Sequence, residues 1–321
     1  MLANFERKME NEIKGAISYF SYFSYPPTSQ EIYTFLKKKT SAGHFTSILE
    51  KMVKKSAIKI CKTIHNSEFI IQNSKRYTLG EYGIGKFRIR NSKFKIANYA
   101  LRERISKKKI KKIDRYVNLL SMFPQIKLIG LSGSVAMHNA EKDHDVDLFI
   151  ITARNRLWTA RFISVFLAQF MGIKRKRNVP RSTFYVPRFF TDKVCLNLFF
   201  DEARMDVPKY KRTEYVAHEI LQMRPLVNKN SVYEAFLEQN KWVYKIFPNA
   251  GINNKSQISN LKSMSNVKNQ RSNFFGYFIE QLLKILQLNI IKLHQTTEIV
   301  TDTQLWFHPD DFGKKIRSNN T

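Results

Sequence analysis

Residues 126–151 contain the feature that most limits how this chain can fold. The apolar runs 126–131 and 146–151 are rich in Ile and Leu, and each has the length of one buried β-strand. The segment between them is small and polar, with a Gly-Ser pair at Gly133 and an Asp-Val-Asp run from Asp145. A turn and a short helix fit this segment, so the chain must build a sheet with both strands in its core.

The residues between the two strands form a set suited to phosphate and metal chemistry. Gly133 allows close approach of the backbone to a phosphate, and Ser134 adds a hydroxyl donor. Asp145 and Asp147 are two positions apart, so on a strand their side chains point to the same side. Two carboxylates beside a phosphate-binding turn make a hard oxygen site suited to Mg²⁺.

The Gly133-Ser134 pair and the Asp-Val-Asp-Leu run from Asp145 resemble the motif of the nucleotidyltransferase superfamily, which includes DNA polymerase beta, kanamycin nucleotidyltransferase and the MNT-type proteins. The resemblance implies a mixed sheet with flanking helices. It also implies Mg²⁺-dependent transfer of a nucleoside monophosphate from a triphosphate, with ATP the expected donor, to an acceptor hydroxyl. Asp145 and Asp147 would be catalytic and bind the metal, while Gly133 and Ser134 would bind the nucleotide.

The same family carries a third carboxylate on a later strand, and the chain departs from that pattern. The best candidate strand is 194–200, where the corresponding position holds Asn197. Asn197 could bind a metal through its amide oxygen, but an amide is a poor general base. Asp192, Asp201 and Glu202 lie nearby. Either a neighbouring carboxylate replaces the missing one, or the enzyme is slow, or the domain only binds nucleotide.

Arg156 and Arg161 follow the second strand, in a segment with helical periodicity. Arginine near the metal-binding strand could neutralise a triphosphate, so both are candidate nucleotide-binding residues. The alternative is that they cap and solvate a surface helix.

The first 85 residues indicate a small α+β module. Thr28 and Glu31 form a capping box at the start of a short helix, and a second helix begins near Ser41 or Gly43. Two strand-like runs, 57–63 and 68–72, follow. This order of helices and hairpin resembles the winged helix-turn-helix family.

The winged-helix resemblance implies that residues 43–55 form a recognition helix that contacts DNA or RNA. A winged helix also serves as a protein-contact module, and this alternative stays open. The polar side of the expected helix carries His44, Ser47, Lys51, Lys54 and Lys55.

Charge favours a polyanionic partner. The chain has 55 Lys and Arg against 26 Asp and Glu, a formal net charge of +29, which attracts nucleic acid, nucleotide phosphates or anionic lipid. Residues 86–112 are especially basic and are expected to form a connecting helix that could track a nucleic-acid backbone. A solvated helix face explains the same run without a partner.

Composition excludes several classes of protein. A hydrophobic fraction of 43% is too high for a disordered chain, and two cysteines cannot form a disulfide framework or a Cys-rich zinc site. We expect Cys61 and Cys195 to be buried small residues in a reducing compartment. Neither a signal peptide nor a membrane span is indicated, so a soluble cytoplasmic protein is expected.

We expect a multi-domain α+β protein. Residues 113–225 would form the nucleotidyltransferase domain, and residues 226–321 a helical C-terminal region with a polar linker near 251–270. Residues 274–293 are apolar enough to pack on the protein's own core, or to contact a second copy or a partner protein. The whole layout resembles a group of bacterial and archaeal nucleotidyltransferase-domain proteins that begin with a winged helix.

Two functions from different classes follow. The first is a Mg²⁺-dependent nucleotidyltransferase with an RNA, protein or small-molecule acceptor. The alternative is a nucleic-acid-binding regulator whose nucleotidyltransferase domain is catalytically degenerate and senses nucleotide. A toxin–antitoxin type of activity on a protein or tRNA is a third possibility that no residue of the sequence discriminates.

Overall fold

The computed structural model describes residues 2–61, 75–79, 92–174, 193–251, 274–293 and 298–307. Over these residues the fold is α+β, as expected, and its elements divide into two compact units. One unit combines Met1–Arg104 with Trp242–Ser256, and the other combines Ile105–Lys241 with Gln257–Thr321. No helix among the described residues is long and apolar enough to cross a membrane.

The described helices and strands follow in chain order. They are α1 (Leu2–Tyr22), α2 (Ser29–Thr34), α3 (Ala42–Lys54), β1 (Ile58–Cys61), β2 (Arg76–Leu79), α4 (Ser92–Ser121), β3 (Ile126–Ser132), α5 (Gly133–Ala136), β4 (Val146–Thr152), α6 (Leu157–Phe170), β5 (Val194–Asp201), a 3₁₀ turn (Lys209–Lys211), α7 (Glu214–Gln222), β6 (Arg224–Asn228), α8 (Val232–Gln239), α9 (Val243–Ile246), α10 (Phe274–Lys292), β7 (Ile299–Val300) and β8 (Gln304–Trp306).

The first unit packs α1, α2 and α3 against a two-stranded sheet. The capping box is confirmed, because the Thr28 hydroxyl accepts the Glu31 N–H at 3.2 Å and the Glu31 carboxylate accepts the Thr28 N–H at 2.7 Å. Ile13, Ile32 and Ile48, one from each helix, are fully buried in the common core. The apolar spacing along α3 therefore builds the buried face that the sequence predicts.

The hairpin of the first unit differs from the expected one. β1 pairs antiparallel with β2, with Ile58 opposite Leu79. The observed partner strand, 76–79, lies after the run 68–72 that sequence analysis predicts as the second strand. The predicted strand 68–72 lies outside the described residues. Tyr77 has the buried β-strand environment that suits an aromatic side chain.

The segment after α8 belongs to the first unit. The buried Asn249 amide donates to the Lys38 carbonyl at 2.8 Å and accepts the Thr40 N–H at 3.0 Å. The Phe247 ring lies against Phe35, with ring centroids 5.1 Å apart. Sequence analysis predicts one helix over 231–247, whereas the structure has two short helices, α8 and α9. The second of them leads into this docked segment.

α4 is one continuous helix that joins two predicted segments. The basic connecting helix was expected over 86–112, and a further helix was expected from Ile113. The helix observed from Ser92 covers both, while residues 86–91 lie outside the described residues. In the second unit, Ile113, Tyr116 and Leu120 are buried along one face of α4, as their helical spacing predicts.

The second unit is built on a six-stranded mixed sheet in the order β6-β3-β4-β5-β8-β7. β3 and β4 are antiparallel, and β4 and β5 are parallel. The bounds of these three strands agree with the runs predicted from the sequence. Their apolar residues are buried, because the three strands lie in the middle of the sheet.

Residues 226–321, expected to form a helical region with a polar linker, also contribute to the strands β6, β7 and β8. β6 pairs with β3, while β8 pairs with β5 and β7 adds to β8. These strands are short, and β6 includes Pro225, so they give little of the alternation that identifies a strand. Trp306 of β8 is 9% exposed, so this aromatic side chain is buried in the sheet.

α10 packs on α6 through a polar contact. The buried Glu280 carboxylate accepts the Trp158 N–H at 2.7 Å, the Thr159 N–H at 3.0 Å and the Thr159 hydroxyl at 2.5 Å. These N–H groups belong to the first turn of α6, where the backbone has no partner within its own helix. Glu280 of α10 therefore caps α6 and also places its charge at the positive end of that helix.

The expectation that the apolar stripe of 274–293 packs on the protein's own core is wrong for most of its residues. Phe275 is 72% exposed, Phe278 59%, Leu282 47% and Leu286 52%. Only Leu283 of the predicted stripe packs against the core of the unit. α10 buries a neighbouring face instead, because the polar side chains of Glu280 and Gln287 bond to α6.

We expect Glu280→Ala to lower the free energy of unfolding by about 2–3 kcal/mol, because buried N–H groups lose a charged acceptor. Chemical denaturation of the full chain measures this change. Gln281→Ala, on the next residue of the same helix, is the control and should change stability by less than about 0.5 kcal/mol. Equal effects of the two substitutions would show that the cap does not stabilise the α6–α10 contact.

Candidate active site

The turn after β3 lies directly against a carboxylate of β4. Ser132 at the end of β3 is paired with Asp147, and Gly133 follows with a left-handed φ of +64°. A Cβ atom added to Gly133 would lie 2.8 Å from Asp147 Oδ2. Two constraints therefore require glycine at this position. The backbone conformation is left-handed, and the carboxylate leaves no room for a Cβ atom.

The two aspartates alternate with buried residues as the sequence predicts. Val146 and Leu148 are buried in the core of the second unit, whereas Asp145 and Asp147 are only partly buried. Asp147 lies in β4, and Asp145 is the last residue of the loop before it. Both carboxylates belong to the end of β4 that lies next to the Gly133 turn.

α4 holds the loop that leads to Asp145. The Lys109 side chain is buried, and its ammonium donates to the carbonyls of Lys142 at 2.9 Å and His144 at 2.7 Å. The Ser106 hydroxyl accepts the Ala140 N–H at 3.0 Å. A buried lysine is stable only with such partners, so Lys109 fixes the backbone immediately before the first aspartate.

Ser134 connects the turn to the same loop. Its hydroxyl lies 3.0 Å from His144 Nδ1, which also accepts the Glu141 N–H at 3.3 Å. The predicted nucleotide-binding pair Gly133 and Ser134 is therefore linked to both ends of the acidic motif. Gly133 contacts Asp147, and Ser134 bonds to the residue before Asp145.

Glu219 of α7 is the site residue that sequence reasoning missed. Burial and then the negative charge of Asp147 raise the pKa of Glu219 to about 7, while Tyr215 and the Gly133 backbone favour the charged carboxylate and lower it in part. The structure thus adds a third carboxylate beside the Gly133 turn and Asp147, and this carboxylate comes from a helix.

Only part of the signal for Glu219 is present in the sequence. Tyr215 and Glu219 are spaced i, i+4, so they share one face of a helix whose N-cap is Thr213. The sequence does not show that this face meets the β3 turn. His218, the residue singled out in this helix as packed rather than ligating, is buried at 2% exposure.

β5 places Asn197 on the strand next to Asp147. Asp147 is paired with Cys195, and Phe149 is paired with Leu198, so a bulge falls at the intervening residues of β5. The Asn197 amide donates to Cys195 Sγ at 2.6 Å. The predicted third metal-ligand position is therefore adjacent to the aspartates but holds an amide.

The acidic residues at the far end of β5 serve the backbone. Asp201 is buried and accepts the N–H groups of Asn155 at 2.7 Å and Ala203 at 2.8 Å. Burial raises the pKa of Asp201 to about 6. Glu202 accepts the Arg154 N–H at 3.1 Å. Neither residue replaces the missing carboxylate, and Asp192 lies outside the described residues.

Arg156 and Arg161 are not brought together with the aspartates. They lie in and just before α6, which follows the opposite end of β4. The Arg156 guanidinium donates to the Gly276 carbonyl at 2.9 Å, and that of Arg161 donates to the Gln287 amide oxygen at 2.5 Å. Both arginines contact α10, and their role at a triphosphate stays a prediction.

The carboxylates of this site fit a hard divalent cation. Burial first and the negative charge of Asp147 second raise the pKa of Glu219, and a bound cation favours the charged form of both carboxylates. Carboxylate oxygen is also the ligand that Mg²⁺ prefers. The loop before Asp145 also holds Glu141, Asp143 and His144. One atom of each that could bind a metal, a carboxylate oxygen or a ring nitrogen, lies within 4.8 Å of the other two.

Comparisons of the chain find no matching family model, no similar curated protein and no similar solved structure. The site is therefore interpreted from its own residues and geometry.

We expect Gly133→Ala to destabilise the protein more than Gly172→Ala. Both glycines have a left-handed φ, +64° and +70°, but a Cβ on Gly172 meets nothing within 4 Å. Gly172→Ala should cost about 1 kcal/mol for its backbone conformation. Gly133→Ala should cost at least about 1 kcal/mol more, because it displaces Asp147. Urea denaturation of both variants measures the difference, and equal losses would contradict the close packing of Gly133 on Asp147.

Proposed function

We propose that the second unit is a Mg²⁺-dependent nucleotidyltransferase that moves a nucleoside monophosphate from a triphosphate to an acceptor hydroxyl. The observation that carries this proposal is the packing of the Gly133 turn on Asp147. Asp145 is two residues before Asp147, and Glu219 is close enough to Asp147 for their charges to interact. This arrangement joins a phosphate-binding type of turn to a cluster of carboxylates.

The sheet supports the same proposal. An antiparallel β3–β4 pair followed by a parallel β4–β5 pair, with helices attached, is a mixed sheet of the kind that the motif resemblance implies. Of the two carboxylates of the motif, Asp147 is on the middle strand of these three, and Asp145 immediately precedes it. We therefore propose a nucleotidyltransferase fold for this unit.

Each residue of the site has a proposed part. Asp145 and Asp147 would hold Mg²⁺, which when bound neutralises charge on the triphosphate. Gly133 and Ser134 would receive the phosphates, since the turn lets a ligand approach the backbone. Glu219, which is close enough to Asp147 for their charges to interact, would supply the carboxylate that Asn197 does not.

The proposed reaction is one displacement at phosphorus. The acceptor hydroxyl oxygen bonds to the α-phosphorus as the bond from that phosphorus to the bridging oxygen breaks, and pyrophosphate leaves. The proton of the hydroxyl passes to a carboxylate of the cluster. Asn197 cannot take this proton, because an amide is not basic enough.

We expect the double variant Asp145→Asn, Asp147→Asn to abolish nucleotide transfer, because it removes both charges from the metal site. Transfer is measured with α-labelled triphosphates, Mg²⁺ and total RNA and protein from the host. Glu238→Gln, which changes an exposed carboxylate of α8 outside the site, is the control and should retain transfer within about threefold. Full activity of the double variant, with circular dichroism unchanged, would refute the proposed function.

We expect Glu219→Gln to lower the rate of transfer by about a hundredfold or more, since glutamine carries no charge. Glu214→Gln on the same helix is the matched control and should leave the rate nearly unchanged. Equal rates for both variants would show that Glu219 only supports the turn.

A second candidate function is nucleic-acid binding, and the charges of α4 favour it. Lys107, Lys108, Lys111, Lys112 and Arg115 are all exposed. Their spacing of three and four residues puts them in one row on the side of α4 away from its buried face, over about 12 Å of helix. Such a one-signed row is suited to phosphate contacts.

On the polar side of α3, by contrast, two of the lysines that could contact nucleic acid form ion pairs. Lys51 lies 2.9 Å from the Glu6 carboxylate, and Lys55 lies 3.6 Å from that of Glu10, so two of its cations pair with α1. The helix–hairpin order of the first unit still supports a winged-helix fold there. We propose that α4, rather than α3, is the main nucleic-acid contact.

We expect Lys108→Glu, Lys111→Glu to weaken duplex DNA binding and to lower the salt slope of log K by about 2, since each lost phosphate contact lowers it by about 0.9. Lys51→Glu, Lys55→Glu is the matched pair and should change the slope by less. Fluorescence anisotropy over a salt series measures both. The reverse ranking would indicate the recognition helix, and no binding at low salt would refute this function.

A further inference from the structure

A row of stacked phenylalanines covers the outer side of α6. Phe162, Phe166 and Phe170 are spaced i, i+4, i+8 and are 44%, 60% and 81% exposed. Their ring centroids are 5.9 and 6.5 Å apart, and successive ring planes differ by 17° and 15°. The three rings therefore form one continuous apolar surface, and none of them contributes to the buried core.

α10, which packs against α6, carries a second exposed apolar row. Its members recur at spacings of three and four residues, so they share one face of the helix. They are 47–79% exposed and comprise Phe278, Leu282, Ile285, Leu286, Ile290 and Leu293. We call the two rows together the α6/α10 face.

The α6/α10 face is large for a surface in water. From the exposed fractions, its nine side chains present roughly 1,000 Å² of apolar area, taking 150–250 Å² for a fully exposed aromatic ring. The largest apolar patch of a typical monomer covers about 300–600 Å². A stable protein–protein interface needs about 800 Å² from each partner. The two rows reach this area only when they are summed, so the interface proposed below includes both.

Charge distinguishes between possible partners. The charged groups on these helices are used locally, since Glu280 caps α6, Arg161 bonds to Gln287 and Lys284 lies 2.7 Å from Asp302. Lys292, at the end of α10, is the charged residue of α10 that remains exposed. An anionic membrane or an acidic protein would select cations among the apolar residues, but α6 itself carries Arg161 alone and α10 carries only Lys284 and Lys292.

We propose that the α6/α10 face binds a second copy of this chain and forms a two-fold symmetric dimer. A nearly uncharged face lets two highly basic chains meet without opposing cations in the contact. A two-fold axis places the same face of each copy against the other. The interface would then be a bundle of four helices, two from each chain, with the phenylalanine rows inside.

The experiment measures the mass of the full chain by sedimentation equilibrium over a concentration series. The wild-type protein should have twice the chain mass of 37.9 kDa at micromolar concentration. Phe166→Glu, Leu286→Glu should shift it to the monomer and raise the dissociation constant at least a hundredfold, since a charge buried at the centre of an interface is costly. Both positions are exposed in the chain itself, at 60% and 52%.

Met122→Glu is the matched control, because Met122 is 76% exposed and lies outside the α6/α10 face. It should leave the dimer intact, and all variants should have the same circular dichroism and unfolding midpoint. A wild-type monomer, or a dimer unaffected by the double variant, would overturn the proposal.

Two further outcomes would identify another occupant and would also overturn it. A monomer that binds vesicles with 30% phosphatidylserine, and loses this binding in the double variant, would make the face a membrane surface. A monomer that the double variant destabilises by several degrees would show that another segment of the same chain covers the face.

Discussion

The close approach of the Gly133 backbone to the Asp147 carboxylate is the contact on which the rest of the second unit depends. It requires β3 and β4 to be antiparallel neighbours, because only then does the residue after Ser132 lie over Asp147. It also requires a glycine in a left-handed conformation. Glu219 of α7 lies close enough to this turn for the charge of Asp147 to raise its pKa, after burial.

The two faces of α4 illustrate how one helix can support a site and remain highly basic. Lys109 is buried and holds the carbonyls of the loop before Asp145, while its neighbours Lys108 and Lys111 are exposed. A run of lysines in a sequence therefore does not indicate a single role. The buried member is structural because its ammonium has backbone acceptors, and the exposed members are available to phosphate.

The sequence predicts the centre of the second unit well and its edges poorly. β3, β4 and β5 were predicted because buried strands in the middle of a sheet are continuous apolar runs. β6 and β7 were missed because they are edge strands, and β8, which lies between β5 and β7, was missed because it has only three residues. The acidic motif could be predicted, since its residues are close in sequence. Glu219 could not, because the contact between α7 and the β3 turn is purely tertiary. The face buried by α10 was misassigned for a related reason, since Glu280 and Gln287 bond to α6 with polar groups that a hydrophobic stripe does not reveal.

Neither unit is a continuous stretch of chain, and this has a consequence for synthesis. The first unit receives Asn249 only after the ribosome has made all of β3 to β6, and β5 gains its neighbour β8 later still. Nascent chains fold in the order in which their segments emerge. The carbonyl of Lys38 and the edge of β5 therefore lack their hydrogen-bond partners while the segments that supply them are still being translated. An open strand edge and an exposed helix face during that interval are surfaces on which chaperones act and on which aggregation begins.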